Sequence, residues 1–131
     1  MKKFKLGLGL ILLMVGGIAY GTIVYGSGKI LYSGQLPALR TPIYTPSGVN
    51  HAVVNFISIN LTGATAPQTV TFWITPNGGL NRAIGTWVLS ATGYSAYPVS
   101  FPIYLSSGDA IKAQTTTVAM VDCVISGQEG Q

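Results

Sequence analysis

Thr69-Val70-Thr71-Phe72-Trp73-Ile74-Thr75, followed at once by Pro76-Asn77-Gly78-Gly79, is the stretch from which the fold is read. Val70, Phe72 and Ile74 alternate with Thr69, Thr71, Trp73 and Thr75, and a period of two puts three apolar side chains on one face of a half-buried strand. The Asn-Gly pair that follows readily takes the positive φ angles of a tight hairpin turn. The same scheme returns in Val99, Phe101, Ile103 and Leu105, set against Ser100, Pro102 and Tyr104. Residues 51–61 are richer in apolar side chains, and their phase shifts between Phe56 and Ile57. Val54 and Phe56 fall on one face there, and Ile57, Ile59 and Leu61 on the other. A bulge, or a strand buried on both faces, accounts for the shift. Residues 83–89, 110–114 and 118–125 complete the set, with turns expected at 62–67, 91–96 and 106–109.

Seven or eight strands at spacings of about 8 to 12 residues predict an all-β chain, an antiparallel β-sandwich or jelly roll. No helical periodicity follows residue 26. Residues 27–46 read as an extended linker turning into the first strands, around 29–33 and 40–45. Pro37, Pro42 and Pro46 lack the amide hydrogen and hold their predecessors extended. Residues 47–131 are then the sandwich domain.

The amino end is different. Lys2, Lys3 and Lys5 precede an uncharged stretch, 6–25, long enough as a helix to cross a hydrocarbon core of roughly 30 Å. Two readings of residues 1–26 compete. The favoured one is a retained membrane anchor carried by Leu6, Leu10, Leu13, Gly17, Gly21 and Tyr25, with lipid as partner and the lysines inside. In the other, the segment is a cleaved secretory signal ending at the small-x-small site Ala19-Tyr20-Gly21. Gly17 and Gly21 also have the spacing of a helix-dimer face. Leu6-Gly7-Leu8-Gly9-Leu10 alternates with period two and leaves a strand or packed arm as a third option. The first two readings both carry the body out of the cytoplasm.

The 131 residues are 48% hydrophobic and only 8% charged, which excludes ordinary disorder. Beyond Leu6, four cations (Lys29, Arg40, Arg82, Lys112) face three anions (Asp109, Asp122, Glu129), so the body is nearly neutral. A surface that tracks phosphates needs clustered Lys and Arg, and no nucleic-acid partner is expected. Cys123 is the single cysteine, so no intrachain disulfide forms; it reads as a small buried hydrophobe. His51 has no neighbouring ligand types, and no metal or other cofactor is expected. Asp109 reads as a turn cap, Asp122 as a solvent-facing residue and Glu129 as part of the tail. No Gly-x-Ser-x-Gly elbow or Gly-rich phosphate loop is present, and no enzyme activity is expected. Asn60-Leu61-Thr62 fits the glycosylation acceptor pattern. Trp73, Tyr94 and Tyr97 are the candidate partner-contact residues, as ring cover or subunit contact in preference to sugar stacking.

Three stretches, "IYTPSGVNHAVVNFISINLTG" (43–63), "QTVTFWITPNGG" (68–79) and "FPIYLSSGDAIKAQTTTVAMVDCVISGQE" (101–129), together resemble small β-sandwich structural proteins of bacterial viruses. The resemblance lies in strands and turns and carries no catalytic signature. It implies a non-enzymatic, homo-oligomeric virion component, a capsid, spike or membrane-associated coat protein, with other copies of itself and other coat proteins as partners. The alternatives are a secreted or membrane-anchored surface module that recognises glycan or protein, and an archaeal or bacterial filament subunit.

Overall fold

The computed structural model describes residues 27–48, 51–99 and 102–130. The expected anchor or signal, residues 1–26, lies outside the described residues. The strands are β1 (Lys29–Gln35), β2 (Thr41–Tyr44), β3 (His51–Leu61), β4 (Gln68–Thr75), β5 (Arg82–Leu89), β6 (Ser95–Val99), β7 (Ile103–Ser106), β8 (Ala110–Thr115) and β9 (Val121–Gly130). All pairings are antiparallel. One sheet runs β1-β9-β3-β6, with β7 also on β3, and the other runs β2-β8-β4-β5.

The alternation read from the sequence decides which side chains lie between the sheets. Val70 and Phe72 of β4 and Ile111 and Ala113 of β8 face Val54, Ile57, Ile59 and Leu61 of β3 and Val121, Cys123 and Ile125 of β9 across one core. Burial of this apolar surface is the main driving force for folding, at about 25 cal/mol per Å² removed from water.

The phase shift in β3 is a bulge. Val54 pairs with Gly127 and Phe56 with Ser126, so Asn55 is the inserted residue. The insertion turns Phe56 outward and returns Ile57 to the core. Val54 and Phe56 therefore lie on opposite faces rather than on one. The bulge presses the Val53 carbonyl against β9, where a Cβ on Gly127 would clash with it.

Four expectations need correction. The single strand expected at 99–105 is two, β6 and β7, and the turn expected at 91–96 gives way to β6 from Ser95, so the strands number nine among the described residues. Pro102, without an amide hydrogen, stands between the two pieces. The last strand begins at Val121 instead of 118 and runs to Gly130, so Glu129 belongs to β9 and not to a tail. Its carboxylate accepts a hydrogen bond from the Tyr44 hydroxyl at 2.8 Å and pairs with Lys29. Three strands of the two sheets are joined there.

Gln68 closes the other end. Wholly buried, it donates from Nε2 to the Thr65 carbonyl (2.9 Å) and accepts at Oε1 from the Thr117 amide (2.9 Å) and the Thr115 hydroxyl (3.2 Å). A buried amide is tolerated only when its groups are satisfied, and these are. Gln68→Leu keeps the volume but strands the Thr117 amide and Thr115 hydroxyl. Urea unfolding is expected to show a loss of about 1 to 3 kcal/mol.

Lys29 beside Glu129 holds its carboxyl below the ordinary carboxylate value, helped by the Tyr44 hydroxyl against the opposing effect of burial. A depressed folded-state pKa contributes stability that is present above the unfolded-state value and lost as pH falls through the folded-state value. Glu129→Gln is therefore expected to melt lower than the wild type at pH 7. The gap should narrow as the medium is acidified below about pH 4. Because Lys29 is half exposed, the gap is small. Circular-dichroism melting of both proteins across that range checks it.

Candidate interaction surface

The outer face of the five-stranded sheet is built from the residues that alternate with the core. In β9, Val121, Cys123 and Ile125 point inward, so Asp122 and Val124 point outward. The register sets Gln35 of β1 beside Asp122, Asp122 beside Asn60 of β3, and Asn60 beside Ser95 of β6. A polar row thus crosses four strands. Next to it, Ser58, Asn60, Ser95, Tyr97, Asp122 and Val124 line an open hollow of about 280 Å³. Tyr97 forms one wall, and its ring rests on Phe56 with centroids 5.3 Å apart. Tyr104 of β7 stands exposed on the same sheet.

The structure separates the aromatic residues named from the sequence. Trp73 lies on β4 of the other sheet, half-buried, with the Arg40 guanidinium 4.3 Å above its ring. The surface around it is a shallow threonine-lined depression of Thr69, Thr71, Gln114, Thr115 and Thr116. Tyr94 sits in the turn before β6, where its carbonyl accepts from the Leu61 amide at 3.0 Å. Tyr97 meets Phe56 instead of Trp73. Trp87 turns inward, edge-on to Phe72 at 6.0 Å.

The charged groups are mostly committed. Asp109 accepts from the Ser106 amide (2.8 Å) and the Asn77 amide (2.9 Å), as a turn cap should. Lys29 and Glu129 pair, Lys112 donates to Asn81 Oδ1 at 3.1 Å, and Arg40 covers Trp73. Among the described residues only Arg82 and Asp122 make no such contact. His51 opens β3 opposite Ser106 and Gly130, and no group of three His, Cys, Asp or Glu residues among those described could hold a metal ion. Chemically, the hollow offers one carboxylate, hydroxyls and an aromatic wall. That set recognises a hydrogen-bond donor or a cation.

Asn60, the glycosylation candidate, is the penultimate residue of β3, paired with strands on both sides, and its Oδ1 is buried and unpaired. An acceptor site needs an accessible loop, and this position is not one. The expected anchor residues Leu6, Leu10, Leu13, Gly17, Gly21 and Tyr25 lie outside the described residues. Sequence reasoning missed Phe56, Ser58, Ser95 and the Arg82–Asp122 remainder. Three of those follow from strand register; the last follows only once every other charge has been assigned a partner.

No protein-family profile matches the chain, and neither does any curated protein. A search of solved structures finds similarity to a chain described under "Bacillus endospore appendages form a novel family of disulfide-linked pili". The two are 18% identical, the match covers 85% of this chain and 91% of that one, and the TM-score is 0.48.

Cys123 is 1% exposed, and burial pushes its thiol up to about 12. At pH 7 the thiolate fraction is on the order of one in 100,000. An aromatic disulfide reagent is expected to leave the native chain unlabelled and to modify one thiol per chain in denaturant. Fast labelling of the native protein would contradict the burial.

Proposed function

We propose that this chain is a non-enzymatic structural subunit that assembles with copies of itself into a surface appendage or coat. The observation that carries the reading is a weakly guarded sheet edge. Folded monomers blunt their edge strands with charge, proline, bulges or shortness, because open N–H and C=O groups invite pairing with another chain. Among the described residues, each of the four outer edges carries some such device, but they do not protect equally. Pro42 lies in β2 and Pro98 in β6, β7 is only four residues long, and β1 opens on Lys29 and is irregular between Ile30 and Tyr32. β5 also opens on a charge, Arg82, but is the least protected over its length. Past a bulge near Ile84, its Gly85–Leu89 stretch has neither charge nor proline, its partner among the described residues is β4, and Val88 is 57% exposed.

The strand order supports the jelly-roll form of the fold. β1 meets β9, β2 meets β8, β3 meets β6 and β7, and β4 meets β5, as in one long hairpin rolled on itself. The lack of a cluster of His, Cys, Asp and Glu among the described residues supports a role through shape. The uncharged stretch at 6–25 supports placement outside the cytoplasm, either anchored or exported. Disulfide linkage forms no part of the proposal, since the single cysteine is in the core.

Sedimentation and negative-stain microscopy of the full chain test the reading. Wild type is expected to form particles much larger than one chain. Thr86→Lys combined with Val88→Lys places two like charges on the β5 edge, and should leave circular dichroism unchanged while sharply reducing assembly. A wild-type chain that stays monomeric at high concentration overturns the proposal.

A further inference from the structure

The two charged side chains left over among the described residues, Arg82 and Asp122, lie on different sheets, and each sits in surroundings suited to the other. Asp122 lines the hollow together with the Tyr97 ring and the Ser58 and Ser95 hydroxyls. A guanidinium pairs with a carboxylate through two parallel N–H···O bonds and stacks on an aromatic face, so this set fits an arginine better than a lysine. Arg82 begins β5 at the end of the hairpin tip 76–82, where Leu80 is 87% exposed.

That tip is braced from within. The Gly79 amide donates to the Pro76 carbonyl (2.8 Å), the Asn77 amide donates to Asp109 (2.9 Å), and Asn81 accepts from Lys112 (3.1 Å). Gly78 takes a positive φ of 69° at the turn, a conformation that suits glycine. A tip already held in shape loses little freedom when it docks.

Resting on the self-assembly reading above, we propose that the hollow lined by Asp122 and Tyr97 receives the Arg82 tip of a second copy of this chain. Donor and acceptor surfaces differ, so the contact is head-to-tail. Contacts of that kind propagate into an open filament, or into a ring where the rotation closes. Charge complementarity selects the occupant: among the described residues each copy offers one uncommitted cation, Arg82, and one uncommitted anion, Asp122. Asp122 alone does not discriminate among cations, whereas the Tyr97 wall favours a planar one.

Charge reversal tests the contact. Arg82→Asp and Asp122→Arg, made separately in the full chain, should each raise the concentration needed for assembly by about tenfold or more. The double variant R82D/D122R restores the pair with its polarity exchanged and should recover most of the wild-type behaviour. Melting curves confirm that each variant is folded, and the reciprocal single variant carries the test if one of them is not. Wild-type assembly that neither reversal alters, or that the double variant fails to restore, overturns this contact and leaves the self-assembly reading standing. Wild type that never assembles overturns both.

Discussion

The pairing of β3 with β9 is the constraint on which the rest depends. The two strands run together from His51 opposite Gly130 to Leu61 opposite Val121, and β9 also carries β1 on its far side. Closing this long-range pair places the last strand between the first and third. The pairing works only because of two local details. Asn55 is inserted into β3, which rephases the core residues, and Gly127 stands where the displaced Val53 carbonyl approaches β9. A side chain at 127 would force the strands apart at the bulge.

The same pairing makes the outer surface. A sheet presents whatever alternates with its core, so a core drawn from Val121, Cys123 and Ile125 obliges Asp122 and Val124 to face out. The polar row from Gln35 to Ser95 and the turning of Phe56 toward Tyr97 are consequences of register and bulge. Core and surface are thus read from one alternating pattern, and a one-residue slip would exchange them.

This also marks how much could be read beforehand. The strands at 51–61, 69–75 and 83–89 were legible because strict alternation or an apolar run between turn residues leaves little choice. β6 was hidden: Ser95-Ala96-Tyr97-Pro98-Val99 has the composition of a turn, yet an edge strand needs partners on one side only, and β3 supplies them. A bulge was one of two readings of the shift, which was placed between Phe56 and Ile57; it falls at Asn55, because an apolar run fits either phase until the partner strand fixes the register. Gln68 and Glu129 gave no signal. A lone amide or carboxylate looks the same in sequence whether it is solvated or satisfied by groups tens of residues away, as Gln68 is by Thr115 and Thr117. The hollow was invisible for the same reason, since β3, β6 and β9 each supply part of its lining.

Low charge then takes on a definite meaning. A body with four cations and three anions has little net repulsion between copies, and apolar groups such as Leu80 and Val88 attract without direction. Attraction of that kind alone gives amorphous association, because many orientations bury similar areas. Ordered assembly needs a term that separates one orientation from the rest, and unlike charges supply it at short range by penalising every arrangement that leaves them apart or sets like beside like. In this chain Glu129, Asp109, Lys29, Lys112 and Arg40 are spent on closing the sandwich and its turns. In the proposed assembly the scarcity of charge would give the pair left among the described residues, Arg82 and Asp122, its influence: with so few alternatives on the sandwich surface, one cation and one anion would suffice to define a direction.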